Sequence, residues 1–377
     1  MLRLSLSATA LCLIIAVAPA GALETGKSFD LPCPFGDCQA GMALAYLGEF
    51  SIPTGEMVDG IEFGGISGLD FDASTGRYIA ICDDRSEKGP ARFYELAIDA
   101  DASGIKGVTV AKTVTLKDRN GEAFAAKTVD PESVRIGSEG LYWSSEGDAK
   151  AGIAPFVHLA GRDGTFLREF KLPDGFAPTA DKTSGIRNNN AFESMTLLPS
   201  GDLLVALEAA LYQDGPAATL VSGSLARVIR YNPKSGEPTA QYVYPVSPIP
   251  QAPAKENGWN DNGLPELLAL DDHRLLAVER GFAEDFGSSI KLFMTDLEGA
   301  TDVSSIPSLA AADKRVVPLR KSELLDLRAV GLVPDNIEAL TFAKGSDGTD
   351  LLILASDNNF NASQKTQFYA FRVLNRP

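Results

Sequence analysis

The chain has 377 residues, 45% of them hydrophobic, with 35 glycines and 22 prolines, a composition that excludes disorder and suits many short strands joined by tight turns. Its 50 acidic side chains against 34 basic ones leave a net charge of -16, which repels a phosphate backbone and excludes nucleic acid as a partner. Only two histidines, His158 and His273, are present, so a histidine-based metal cluster is excluded and a Ser-His-Asp triad disfavoured.

The chain opens with the basic Arg3, an apolar run over 10–18 and the small residues Ala18 to Ala22, the plan of a secretory signal over residues 1–22. Cleavage after Ala20 or Ala22 and export to the periplasm or beyond are expected. The apolar core is too short for a permanent membrane span. Residues 23–42 read as an N-terminal arm, pinned by a disulfide between Cys33 and Cys38 around a Pro-Phe-Gly-Asp turn, as an oxidising compartment permits. Cys82, in an apolar run, reads as a small buried hydrophobe.

From residue 43 to the end one pattern recurs with a period of about 60–75 residues. Each copy opens on a strand (GGISGLDFD, DPESVRIG, AFESMTLLP, LPELLALDD, DNIEALTFA) and closes on a second strand (YIAICDDR, LYWSSEGD, LLVALEAA, LLAVERGF, LLILASDNNF). The segments that follow supply two more strands: RFYELAI and VAKTVTL, FVHLAG and LREFKL, RVIRYN and AQYVYPV, KLFMTDL and RVVPL. The fold class is therefore all-β, a single β-propeller of four-stranded blades over 43–377. The count is five blades, with a sixth allowed in the loops at 210–225 or 248–262. The fifth copy has only FYAFRVL after its closing strand, and the N-terminal MALAYLGEFSIP is the segment to complete it and close the ring. A short helix is predicted at Lys321 to Val330, and PVSPIPQAPAKENG reads as an excursion between blades.

The two strands of each hairpin begin and end at the same level, so the pairs Ser67 and Asp83, Glu132 and Glu146, Glu193 and Glu208, Glu266 and Glu279, and Glu338 and Asp357 are expected around one mouth of the channel. So many hard oxygen donors favour Ca²⁺, with Asp83, Asp84, Glu146, Glu208, Glu266, Glu338 and Asp357 as candidate ligands. Glu132, Glu193 and Glu279 are the candidate catalytic groups. Arg85, Arg187, Arg280, Asn189 and Asn359 accompany the rim and suit an anionic ligand. The competing reading is that these polar residues only tie neighbouring blades together. Asp130 before Pro131 reads as a turn residue and His158 as core; Trp143 and Trp259 are candidates to stack a ligand, with core the plainer reading for Trp143 in its strand.

Taken together and in order, GGISGLDFD, ICDDRSEKGPARFYEL, VDPESVRIG, SSEGD, RNNNAFESMTL, ALEAALYQDG, AVERGF, DNIEAL and ASDNNF resemble the phytase-like family described as "esterase-like activity of phytase", over roughly Gly64 to Val373. The resemblance implies an exported propeller that hydrolyses a small anionic ester or phosphoester, and the residues matching its motifs are Asp83, Asp84, Arg85, Glu132, Glu193, Glu279, Arg280, Glu338, Asp357 and Asn359. The carboxylates are clearer here than a basic phosphate cluster. Three functions follow as expectations for a monomer: a calcium-dependent hydrolase, a non-catalytic envelope propeller that binds a protein, glycan or small ligand, and a propeller lactonase.

Overall fold

The computed structural model describes residues 23–35 and 42–375; the expected signal segment and Cys38 lie outside the described residues. Five antiparallel sheets follow one another around an axis. The first blade is Ile66–Asp72, Arg77–Cys82, Arg92–Asp101 and Gly104–Thr115; the second is Pro131–Ile136, Leu141–Ser145, Phe156–Ala160 and Phe166–Glu169. The third is Phe192–Leu197, Leu203–Leu207, Ser224–Asn232 and Glu237–Val246; the fourth is Asn260–Ala269, Arg274–Ala283, Gly287–Asp296 and Arg320–Asp326. The fifth has Asn336–Lys344, Asp350–Asp357 and Lys365–Asn375 from the C-terminal end, and Ala43–Pro53 and Ser28–Asp30 from the N-terminal end. The first strands of successive blades pack side by side, and the fifth packs against the first. The ring therefore has five blades, and neither long loop hides a sixth.

Burial explains the sequence pattern. Inner strands are covered on both faces by neighbouring blades, so Leu203–Leu207 and most of Asp350–Asp357 read as continuous apolar runs. Outer strands such as Gly104–Thr115 alternate between covered and open positions. Each apolar core lies between two blades. Ile79, Ile81 and Phe93 of the first blade meet Val134 and Trp143 of the second. Ile66 and Leu69 of the first meet Ile353 and Phe368 of the fifth.

Closure rests on Ala43–Pro53, which pairs antiparallel with Lys365–Asn375. Leu44 and Tyr46 from this strand join Leu340, Leu354 and Phe371 in the core shared by the fourth and fifth blades. Two strand expectations need correction. The fourth blade's last strand is Arg320–Asp326 rather than RVVPL, and this same segment replaces the helix expected from Lys321. The preceding residues are drawn away because the Leu319 N–H donates to the Val243 carbonyl of the third blade at 2.8 Å. Among the described residues the helical content is one 3-10 turn, Tyr212–Asp214, and no helix is long and apolar enough to cross a membrane.

Leu44 is fully buried in the closing strand, and a Leu44→Ala chain is expected to lose about 2–5 kcal/mol of stability, read from the denaturant midpoint.

Candidate functional site

The first strand of every blade is irregular near its start, and this irregularity builds the site. In the first, third and fifth blades the ladder skips one residue: Ser67 between the pairs Ile66–Cys82 and Gly68–Ile81, Glu193 between Phe192–Leu207 and Ser194–Ala206, and Glu338 between Ile337–Ser356 and Ala339–Ala355. The second blade breaks its ladder across Glu132, and the fourth across Leu264 and Pro265. Such a bulge turns one extra side chain out of the ladder. Proline tolerates the position because a bulged residue does not need its N–H for the ladder.

Register also aligns the ends of the second strands. The N–H groups of Asp83, Glu146 and Glu208 donate to the carbonyls of Gly65, Asp130 and Ala191, while Asp357 faces Asn336 and Arg280 faces Gly263. These five positions are equivalent, four acidic and one basic. Two glycines make room for them. Gly65 has φ +66, and a Cβ there would lie 2.2 Å from Asp83 Oδ1; a Cβ on Gly263 would lie 2.2 Å from Glu208 Oε1.

Eight carboxylates thus gather at one mouth: Asp83, Asp130, Glu132, Glu146, Glu193, Glu208, Glu338 and Asp357. Asp130, Glu132 and Glu146 each bring one oxygen within 4.8 Å of the others. Glu132 Oε2 accepts from Ser67 Oγ at 2.5 Å, Glu146 Oε1 from the Ala191 N–H at 2.8 Å, and Glu208 Oε2 from Asn190 Nδ2 at 2.7 Å. Asn336 Nδ2 donates to both Glu338 and Asp357, at 3.0 and 3.2 Å. Asp83 Oδ1 is buried without a partner.

Arg280 is the cation inside the cluster. It pairs with Glu208 at 2.6 Å and Glu338 at 3.2 Å and donates to Asn336 Oδ1 at 2.7 Å. At the rim, Arg85 bridges Asp148 at 2.6 Å and Asp130 at 3.3 Å. Two cations do not offset eight carboxylates. Burial first, and then mutual repulsion, pushes Asp83, Glu132, Glu193 and Asp357 well above the usual carboxylate range. Burial likewise lifts Asp130 to about 7, against the pull of Arg85, and Glu146 and Glu338 to about 8.

Other expected residues lie elsewhere. Glu279 is one residue from Arg280, so its side chain leaves the opposite face of the strand. It sits between the third and fourth blades, accepting from Tyr244 Oη at 3.0 Å, the Ser247 N–H at 3.2 Å and Lys321 Nζ. Glu266 falls one position beyond the bulge and pairs with Arg135 at 2.8 Å. Arg135 also donates to the carbonyls of Leu69 and Leu267, both at 2.9 Å, and so lies across the axis between the first, second and fourth blades. Asp84 anchors a loop: burial raises its carboxyl, but Arg92 at 2.6 Å and the N–H groups of Lys88 and Glu87 hold it below the ordinary value.

Arg187 clamps a loop through the Ala210 and Gly215 carbonyls and stacks on Tyr212. Asn189 is an exposed turn residue with φ +57, and its neighbour Asn190 is the one that reaches the cluster. Asn359 stands at the edge of a cavity beside the mouth. Trp143, His158 and Cys82 are buried as expected, His158 among Trp143, Phe156 and Phe166.

Folding raises Asp83, Asp130, Glu132, Glu146, Glu193, Glu338 and Asp357 above their unfolded values near 4, so at these groups the folded chain holds more protons than the unfolded one. In metal-free protein the contribution of these groups to stability is therefore greatest below their unfolded values and is lost as pH climbs through about 7 to 8, where Asp130, Glu146 and Glu338 ionise. A thermal midpoint that falls between about pH 5 and pH 9 in chelator, with a shallower fall in Glu146→Gln, is the expected outcome.

A family model described as "Phytase-like: Esterase-like activity of phytase" matches residues 61–360. An uncharacterized secreted protein of Arthroderma benhamiae is 23% identical over 252 residues, which cover 58% of this chain and 46% of that protein, so the chain spans less than half the length of this curated relative. Among solved structures, an alpha-L-arabinofuranosidase from Lactobacillus brevis is 11% identical with a TM-score of 0.45, covering 85% of this chain and 94% of its own. A glucose dehydrogenase is 12% identical with a TM-score of 0.36, covering 86% and 98%. The family model spans most of the chain and includes every strand that lines the mouth, and on that match the chain belongs to the phytase-like family.

Proposed function

We propose that this chain is an exported phytase-like hydrolase that cleaves a small ester or phosphoester at the acidic mouth with the help of a bound calcium ion. The observation that carries the reading is the convergence of eight carboxylates, seven of them buried and Asp83 half-buried, among which Arg280 and Arg85 are the paired cations in the described residues. Export is supported by the secreted relative and by the signal-like residues 1–22.

The donor set fits a hard cation. All donors are oxygens, three of them lie within 4.8 Å of one another on Asp130, Glu132 and Glu146, and the buried Asp83 Oδ1 lacks a partner. Asp83, Asp130, Glu132 and Glu146 would hold the ion, with Glu338 and Asp357 next to them. When bound, calcium supplies Lewis acidity and a water that loses its proton more readily.

The chain's own residues supply the remaining chemistry. Glu193 lies amid Glu146, Glu208 and Glu338, and burial and then these charges push its carboxyl well above the usual carboxylate range, which suits a general acid toward the leaving oxygen. Glu132, one of the residues that would hold the ion, is oriented by the Ser67 hydroxyl and stands next to Glu193. Arg280 is fixed by three partners and directs its charge into the mouth, where an anionic ester group would be held. Glu279, committed to Tyr244 and Lys321, has no catalytic part.

Hydrolysis of p-nitrophenyl phosphate and p-nitrophenyl acetate during a calcium titration tests the reading. Turnover of at least one ester is expected to require calcium, to vanish in chelator, and to drop about 10²–10⁴-fold in Glu193→Gln with the fold retained. Turnover indifferent to chelator would remove the metal from the mechanism. Neither turnover nor thermal stabilisation by calcium would leave a binding propeller whose carboxylates only join blades.

A further inference from the structure

Beside the acidic mouth, between the fourth and fifth blades, lies a cavity of about 950 Å³ that shares Arg280 and Asn336 with the mouth at one wall and extends from them to Trp259. One wall is Trp259. Its indole is 65% exposed, yet it is not loose: Nε1 donates to Asp261 Oδ2 at 3.0 Å and the backbone N–H donates to Glu284 Oε2 at 3.1 Å. The edge of the ring is tied while its face stays open, so the entropy of ordering an aromatic platform is already met.

The polar groups around this platform are neutral or acidic. Asn336, Asn359 and Gln364 line the cavity, and the Asn359 carboxamide makes no hydrogen bond within the described residues. Asp261 holds the indole through Oδ2, while its Oδ1, like Arg280 Nε, is buried beneath the wall. The backbone at the rim is strained in the same place. Asn359 and Phe360 follow one another at φ +47 and +49, a left-handed conformation that a bulky aromatic residue rarely adopts.

Charge narrows the ligand. The cavity's cations are Arg280 and Lys365; Arg280 is engaged by Glu208 and Glu338, and Lys365 Nζ lies 3.4 Å from Glu49. Glu49, Asp261 and Asp335 also line it, so a free phosphate or sulfate meets a net negative wall. What does fit is a ring with an apolar C–H face for the indole and hydroxyl groups for the open Asn359 carboxamide and the other polar groups of the wall. We infer that this cavity is a binding site for an uncharged sugar or polyol ring, stacked on Trp259. The inference goes beyond the hydrolase reading and holds whether or not the mouth turns over an ester; if it does, the site supplies the alcohol part of the substrate.

The test is direct because Trp143 is buried in the core and Trp259 is the exposed indole. Full-length protein in chelator is titrated with glucose, galactose, mannose, xylose and sorbitol, and separately with inorganic phosphate, following tryptophan fluorescence and calorimetric heat. At least one sugar or the polyol is expected to give a saturable signal with Kd in the millimolar range or tighter. Affinity should fall about tenfold in Trp259→Ala, recover most of it in Trp259→Phe, and survive Glu193→Gln. The exposed position of Trp259 keeps its variants folded, which the thermal midpoint verifies. No saturable response across the panel, affinity unchanged in Trp259→Ala, or competition by phosphate for the same site would each overturn the inference. Sugar binding that persists where Glu193→Gln or chelator has abolished hydrolysis separates this site from the catalytic one.

Discussion

Everything at the mouth depends on repulsion being held in check. Like charges packed at a protein axis push their supports apart, and only a structure without a free edge resists that push from every side. The antiparallel ladder between Ala43–Pro53 and Lys365–Asn375 provides the last section of that structure. Below the cluster, Arg135 reaches the Leu69 and Leu267 carbonyls and the Glu266 carboxylate, binding three blades across the axis with hydrogen bonds that are all buried. The charged layer therefore rests on a closed ring and a neutralised layer beneath it.

Within this ring the fourth blade breaks the pattern, and the break gives the site its direction. Arg280 stands where the other blades present Asp83, Glu146, Glu208 and Asp357. Pro265 lies where others carry Ser67, Glu132, Glu193 and Glu338. A fivefold ring of identical acids would offer equivalent positions to any ligand. One blade with a guanidinium and no acid at the bulge makes the negative charge lopsided, broken at the fourth blade, and the cavity beside Trp259 opens on that side.

The architecture was legible because hairpins leave a local record. Alternation, continuous apolar inner strands and turn residues marked five repeats, and the missing strand of the fifth copy pointed to the N-terminal segment that fills it. What the spacing hid was register. Bulges shift the count by one residue without any mark in composition, so Glu266 and Glu279 were matched to positions that belong to Pro265 and Arg280. Asp130 read as a turn because it precedes a proline, yet its carboxyl is buried beside Arg85. In the Asn188 to Asn190 run, only the backbone shows that Asn190 meets Glu208 while Asn189 forms a left-handed turn. Long loops such as the one carrying Arg187 carry no period at all, and there the side chain serves neighbouring carbonyls.

The closing strand also fixes the order in which the molecule can be completed. Blades one to four each contain strands that are consecutive in the chain, so their pairings are available as soon as each has been synthesised. The fifth blade is different, since Ala43–Pro53 is made before the other four blades and its partner Lys365–Asn375 after them. Until the final strand arrives, Leu44 and Tyr46 lack the fifth-blade side of their core and the ladder edge of Ala43–Pro53 stays open. The acidic ring therefore comes together only when the whole chain is present, and a chain that is cut short keeps an exposed edge in place of a site.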